Sequence, residues 1–273
     1  MPELPEVETV VRELRPRLVG RRIAAVERDD LALRRPWLRE WERTLPGRRV
    51  WAIRRRGKWI VAELEKDLQL VFHLGMTGQL VVTAARQPRA GHTHLILVLD
   101  KGRHELRFRD IRRFGSVTLF GSAREVEEFF HAAQLGPEPF DLDRGYWREQ
   151  LAGTRRCLKA LLLDQRVVAG VGNIYADESL FAARLPPTCL GQDLGAGEAE
   201  RLRRAVLAVL SRAINKRGSS IRDYVGGSGR KGRFQEEFTV YGRTGRPCVR
   251  CRAPVACIRL AGRATHYCPK CQE

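Results

Sequence analysis

No stretch of the chain is apolar over the roughly 20 residues that a membrane-spanning helix needs, and the acidic start MPELPEVETV is unlike a secretory signal. The sequence reading therefore expects no membrane association and a cytoplasmic location. Acids are in deficit, 32 against 50 basic residues, which leaves a net charge of +18 and a pI near 10.5. Such an imbalance points to a polyanionic partner and puts nucleic acid first among the function classes, although part of it reflects an arginine-rich composition. Lysine is scarce, at seven of those fifty cations, so each lysine invites inspection; Lys58 in RRRGKWI is one. Methionine occurs only twice, and Met76 is the single internal one.

What is present suits a globular protein: 273 residues, 43% of them hydrophobic, are enough for one large domain or two modest ones. Near the start, Val7, Val10, Val11, Leu14 and Leu18 recur at the three-and-four spacing of a helix with one buried face. Pro5, Glu6 and Glu8 suit its first turn, Pro16 is a possible kink and Gly20 its end. Residues 21–121 change character, with short β-rich segments (RRVWAIRRR, KWIVAEL, LQLVFHL, HLILVLD, HELRFRD, SVTLF) separated by glycine turns at Gly57, Gly75, Gly78 and Gly102. A sandwich or barrel follows. AREVEEFFHAAQ reads as a helix, LGPEPFDLDRG as a hinge, and WREQLAG, RRCLKALLLDQ, NIYADESLFAARL and GEAERLRRAVLAVLSRAINKRG as helices. No internal repeat is visible.

The cysteines divide into two groups. Cys248, Cys251, Cys268 and Cys271 stand as C-x2-C-x16-C-x2-C, two knuckles that aim four thiolates at one tetrahedral Zn2+ across an intervening hairpin. Four thiolates leave no place for water, so one structural ion per chain is expected, folding the module without catalysing. Cys157, Cys189 and Cys257 lack such partners and read as packing residues. Arg252, Arg259 and Arg263 give the hairpin a basic tip suited to phosphates.

Taken together, MPELPEVET, RRGK, HLGMTG, RRFG, VAGVGNIYADE and the terminal cysteine pattern stand in an order that resembles the bacterial formamidopyrimidine-DNA glycosylases, from residue 2 to Gln272. The related endonuclease VIII group is a poorer match, its start typically reading PEGPE where this chain has PELPE. The resemblance implies an α+β multidomain chain: an N-terminal β-sandwich with flanking helices (1–134), a hinge (135–148), a helix-two-turns-helix DNA-binding domain (149–236) and a zinc finger (237–273). It implies a monomeric base-excision-repair enzyme, with glycosylase and abasic-site lyase activities on double-stranded DNA containing oxidised purines, at the bacterial nucleoid.

Roles implied by the resemblance fall on matching positions. Pro2, once Met1 is removed, is the nucleophile; Glu3 is the acid that opens the sugar ring; Lys58 transfers protons near the scissile phosphates; Arg263 assists the second elimination. Glu6 serves either behind Glu3 or as dipole compensation. Met76, Arg112 and Phe114 fill the space left by the extruded nucleotide, with DIRRFG in place of the family's usual DPRRFG. Asn173, Lys159 and Tyr241 hold phosphates. HTH at residues 92–94 places two imidazoles on one strand face without a third metal ligand; a plain surface strand is the simplest reading, and His92 is carried as a DNA contact. SSIRDYVGGSGRKGRFQ, with Lys231, corresponds to the loop that closes on the flipped base. A non-catalytic DNA-binding protein is the competing class, and Pro2, Glu3 and Lys58 separate the two, since a binder needs none of them.

Overall fold

The computed structural model describes residues 1–29, 31, 33–220 and 231–273. It divides into two compact units, one of Met1–Ala132 with Lys216–Arg233, the other of Ala133–Asn215 with Phe234–Glu273.

In the first unit the helix α1 (Leu4–Leu18) opens behind an extended Glu3, whose N–H donates to Glu6 Oε2 at 2.9 Å. Glu6 thus satisfies a backbone donor that has no helical partner. Val7, Val10, Val11, Leu14 and Leu18 are all buried, as their spacing requires. Pro16 lies in the last turn, and the chain leaves through Gly20 at φ +87°, a left-handed backbone that glycine adopts without cost. Glu8 accepts from Arg55 Nε at 3.0 Å, tying the helix to a neighbouring strand.

Eight strands follow: β1 (Ile23–Arg28), β2 (Val50–Arg56), β3 (Trp59–Leu64), β4 (Gln69–His73), β5 (Gln79–Ala84), β6 (Thr93–Leu99), β7 (His104–Arg109) and β8 (Ser116–Phe120). They pair antiparallel into two four-stranded sheets, ordered β1-β6-β7-β5 and β2-β3-β4-β8. The short helices α2 (Trp41–Thr44) and α3 (Ala123–Ala132) flank them. One core joins the inner faces to α1, with Leu95, Leu97, Leu106 and Phe108 from one sheet and Ile60, Ala62, Leu70 and Phe72 from the other. The rings of Phe72 and Phe108 meet across it, centroids 6.3 Å apart. The β-rich reading of this region therefore becomes a two-sheet domain; β1 and β5 are the strands that no quoted segment marked.

The second unit holds α4 (Arg144–Ala152), α5 (Leu158–Leu163), α6 (Asn173–Ala183), α7 (Ala196–Asn215) and a hairpin of β9 (Ala256–Leu260) and β10 (Arg263–Tyr267). Asp143 caps α4 by accepting from the N–H groups of Gly145 and Tyr146 at 2.8 and 3.0 Å. Trp147 Nε1 donates to the Ala199 carbonyl at 2.9 Å and joins α4 to α7. α6 is buried on nearly every face, Tyr175 and Phe181 at 1% exposure or less. None of the described helices is long and apolar enough to cross a membrane.

Leu14 is fully buried in the core shared by α1 and both sheets. Leu14→Ala is expected to cost about 2–5 kcal/mol, read as a lower midpoint for the unfolding of the first unit in urea.

Candidate functional site

The chain start is built as a rigid corner of α1. Pro2 is buried, Glu3 and Glu6 are 3% and 2% exposed, and Glu6 uses its two oxygens in opposite directions. Oε2 takes the Glu3 N–H, while Oε1 accepts from the Ser219 N–H at 2.7 Å and the Ser219 hydroxyl at 3.1 Å. Gly218, at φ +71°, admits this approach, because a Cβ there would lie 2.7 Å from the same oxygen. Arg217 pairs with Glu13 one helical stretch further on. The two roles weighed for Glu6 are thus joined in one side chain, at the helix start and behind Glu3.

Lys58 occupies the turn between β2 and β3, where Arg56 pairs with Trp59. A turn lysine ordinarily reaches into solvent, yet this one is 6% exposed. Its neighbour is His73, the first residue of HLGMTG, which carries no expected role. Burial first, then the charges of Lys58, Arg34 and Arg35, push the His73 imidazole down to about 4, against a smaller opposing effect of Asp110. The neutral ring fits its contact: Nδ1 accepts the Gly75 N–H at 3.1 Å.

Met76, Arg112 and Phe114 come together on two loops of the same unit. Met76 is 38% and Phe114 45% exposed, and the Arg112 guanidinium lies 4.7 Å above the Phe114 ring. The loops meet backbone to backbone, since a Cβ on Gly75 would stand 2.5 Å from the Gly115 nitrogen. Asp110, fully buried, holds the arrangement: Oδ2 accepts the Gly115 N–H at 2.7 Å, and Oδ1 accepts the Arg112 N–H at 3.3 Å and the Thr77 hydroxyl at 2.5 Å. Isoleucine in place of proline in DIRRFG leaves this turn intact.

His92 is exposed, at φ +66°, and precedes β6. The two imidazoles of HTH stand 6.4 Å apart, His92 ahead of β6 and His94 within it at a register shift between Thr93 and Leu95. His94 is 2% exposed, with both ring nitrogens engaged by protein oxygens, so the motif is no metal pair.

In the second unit α6 is the hub. Asn173 stands at its first position and donates through Nδ2 to the Ala264 carbonyl of β10 at 2.9 Å. Lys159, expected among the phosphate contacts, is instead fully buried: Nζ lies 2.5 Å from Asp177 Oδ1 and 3.0 Å from the Asn173 carbonyl. A charge removed from water must be matched where it sits, and Asp177 matches it. The other Asp177 oxygen accepts from His266 at its N–H (2.9 Å) and Nδ1 (3.0 Å). Glu178 collects the N–H groups of Thr239, Val240 and Tyr241 at 2.9–3.1 Å. Tyr241 itself is half-buried, its ring 5.1 Å from that of His266. Most of the glycine-rich loop, residues 221–230, lies outside the described residues, whereas Lys231 is described and exposed.

The four sulfurs of Cys248, Cys251, Cys268 and Cys271 lie within 4.8 Å of one another. Cys251 and Cys268 are separated by 3.4 Å and Cys248 and Cys271 by 3.9 Å. A tetrahedron with Zn–S bonds of about 2.3 Å has edges of about 3.8 Å, whereas a disulfide needs about 2.05 Å. The set therefore fits one Zn2+. Cys248 and Cys268 are buried with Phe181, Val240 and Val255, and Arg250 both donates to the Phe181 carbonyl at 2.9 Å and covers its ring at 4.3 Å. Arg252, Arg259 and Arg263 are exposed, as a basic tip requires. Cys157 and Cys189 are half-buried, while Cys257 is exposed on β9 and packs less than expected.

A two-sheet β domain, a helical domain centred on α6 and a four-cysteine hairpin define an α+β, zinc-binding class of multidomain protein. Family models match each part in turn: the formamidopyrimidine-DNA glycosylase N-terminal domain over residues 1–117, the H2TH domain of the same enzymes over 135–225, and the zinc finger found in FPG and IleRS over 245–273. The chain belongs to the formamidopyrimidine-DNA glycosylase family. It is 50% identical to the Moorella thermoacetica formamidopyrimidine-DNA glycosylase, with 95% of each chain covered. Among solved structures it resembles a Lactococcus lactis FPG mutant, G226P, in complex with Fapy-dG containing DNA (TM-score 0.94, 38% identity, all of both chains covered). It is similar as well to the Lactococcus lactis Fpg complex with abasic-site DNA (TM-score 0.92, 37% identity, 99% of each chain covered).

Two outcomes are expected from this geometry. The His73 imidazole is held below its unfolded value near 6.5, so its contribution to stability is full above pH 6.5 and is lost as pH falls toward 4. Urea denaturation from pH 7 to 4 is to show a steeper loss for the wild type than for His73→Gln. For the cysteine cluster, Cys248→Ser is expected to release the zinc in a metal assay and to lower the thermal midpoint of the second unit; unchanged zinc content would count against the site.

Proposed function

We propose that the chain is a bifunctional DNA glycosylase and abasic-site lyase that removes oxidised purines from duplex DNA in bacterial base excision repair. The observation that carries this reading is the N-terminal corner, where Pro2 and a 3%-exposed Glu3 are fixed by Glu6 and Ser219. A binding protein has no use for a Pro2–Glu3 pair buried in this way. The solved relatives' complexes with Fapy-dG and abasic-site DNA extend to this chain as its substrate and its intermediate.

The chemistry follows from the residue types. Removal of Met1 turns the Pro2 nitrogen from an amide into a secondary amine, and a chain-terminal amine has a reference pKa near 8, so an unprotonated fraction exists at neutral pH. That nitrogen attacks C1′ of the damaged nucleotide as Glu3 delivers a proton to the ring oxygen. The C1′–N bond to the base breaks with its electron pair going to the base, which takes up the proton given up by the Pro2 nitrogen, and the C1′–O4′ bond breaks onto the oxygen that Glu3 protonates, leaving an iminium between Pro2 and the opened sugar. The iminium stays cationic and acidifies C2′; loss of that proton expels the 3′ phosphate, with Lys58 moving protons there. Arg263 serves the second elimination at the 5′ phosphate.

Attack at C1′ requires the nucleotide to leave the stack, at a cost of a few kcal/mol. Met76 and Phe114 fill the gap and Arg112 addresses the base left opposite. His92, Asn173, Tyr241 and the finger arginines hold phosphates. Residues 1–134 carry Pro2, Glu3 and Lys58, and beyond the 135–148 hinge in the sequence 149–236 and 237–273 provide the grip, Arg263 adding its part in the second elimination. The protein works as a monomer at the nucleoid.

The test is borohydride reduction during reaction with a duplex containing 8-oxoguanine opposite cytosine. A covalent adduct mapping to Pro2 is expected. Its absence from zinc-replete protein lacking Met1 overturns the enzymatic reading, and a protein that retains Met1 is to bind the duplex without cutting it.

A further inference from the structure

His94 sits where three strands of one sheet end. It is the second residue of β6, at the register shift, while Asp29 follows β1 and Asp110 follows β7. The imidazole runs along these ends: Nδ1 lies 2.6 Å from Asp29 Oδ2 and Nε2 lies 2.9 Å from the Asp110 carbonyl. Both partners are oxygens, a carboxylate at one end of the ring and a backbone carbonyl at the other. Backbone bonds close the same frame, from the Asp29 N–H to the His94 carbonyl at 3.2 Å and from the Asp110 N–H to the His92 carbonyl at 3.0 Å.

Asp110 passes the constraint on. Its carbonyl also accepts the Arg113 N–H at 3.3 Å, and Arg113 turns the chain at φ +56° between Arg112 and Phe114. Its carboxylate holds Gly115, Arg112 and Thr77, the last being the residue beside Met76. Packing alone does not call for an imidazole here. The neighbouring inward positions of β6 are Leu95 and Leu97, and a buried polar ring is costly unless both nitrogens are bonded.

We propose that Asp29 and His94 are positioning residues for extrusion of the damaged base, a strut that fixes Asp110 and through it the set of Met76, Arg112 and Phe114. The inference rests on the glycosylase reading above. The strut matters for opening the stack and not for chemistry on a sugar that has already lost its base.

The experiment compares two single-turnover reactions in one duplex context, excision of 8-oxoguanine opposite cytosine and cleavage of a preformed abasic site, for the wild type, Asp29→Ala, Asp29→Asn and His94→Ala. Loss of the Asp29–His94 hydrogen bond, which both alanine variants share, is expected to slow excision about tenfold or more, with abasic-site cleavage within about twofold of wild type. Asp29→Asn, which keeps an acceptor oxygen in place, is to recover most of the excision rate. Equal loss in both reactions, or none in either, overturns the proposal. If His94→Ala fails to fold, the Asp29 pair decides alone, since that carboxylate lies at a strand end with its side chain 33% exposed. A wild type that neither excises nor traps overturns the enzymatic reading instead. The strut is then judged by 2-aminopurine fluorescence beside an abasic analogue, where equal signals from wild type and Asp29→Ala overturn it.

Discussion

The structure depends on buried carboxylates that gather backbone N–H groups. A loop that neither pairs in a sheet nor coils in a helix leaves its donors without partners, and away from water each such donor is costly. Glu6 answers this at the chain start with Glu3 and Ser219; Asp110 answers it between β7 and β8 with Arg112 and Gly115; Glu178 answers it ahead of the zinc hairpin with Thr239, Val240 and Tyr241. In each case one side chain with two oxygens fixes an irregular segment that carries residues proposed for function. Each node is 2% exposed or less, so the electrostatic component of these bonds is little screened.

Asp177 differs, because it receives a full charge as well as a backbone donor. Lys159 on α5 and His266 on β10 converge on its two oxygens, and the Asn173 carbonyl takes a further Lys159 proton. Removing either charge would leave the other stranded in the core, a loss far larger than that of a surface pair. Together with Glu178, Asp177 makes α6 a spine to which the cysteine hairpin is fastened by hydrogen bonds, besides the apolar contact of Phe181 with Cys248, Val255 and Cys268. The zinc site and the helical domain are in this sense one construction: the metal closes the hairpin and the carboxylates seat it.

What was legible in the sequence is what local spacing controls. The α1 stripe from Val7 to Leu18, six of the eight strands of the two sheets, the α4–α7 series and the C-x2-C pairs all follow from periodicity or ligand geometry. The burial of Lys159 and of His94 has no local signature. A basic residue in a basic protein reads as a phosphate contact until a partner from another element is known, and Asp177 lies eighteen positions further along, in a helix whose apolar surroundings disguise two buried acids. The register shift at His94 has no signature in an H-T-H triplet. Asp110 and His73 escaped notice because their importance lies in what they hold, Gly115 and Gly75, and in the nearness of Lys58.

A chain end is ordinarily the least ordered part of a domain, so the terminal amine proposed above as the nucleophile has to be held in place. Here only Glu3 separates Pro2 from a helix whose apolar face is wholly buried, so that the rigidity of the core extends to Pro2 and Glu3. Glu6 completes the transfer, because it belongs to the helix while its oxygens hold the residues on either side of the corner. The acids and prolines crowded into the first eight residues divide accordingly: Pro5 and Glu8 secure the helix, Glu6 joins the helix to its tip, and Pro2 and Glu3 are left at the tip with geometry that the rest of the domain imposes on them.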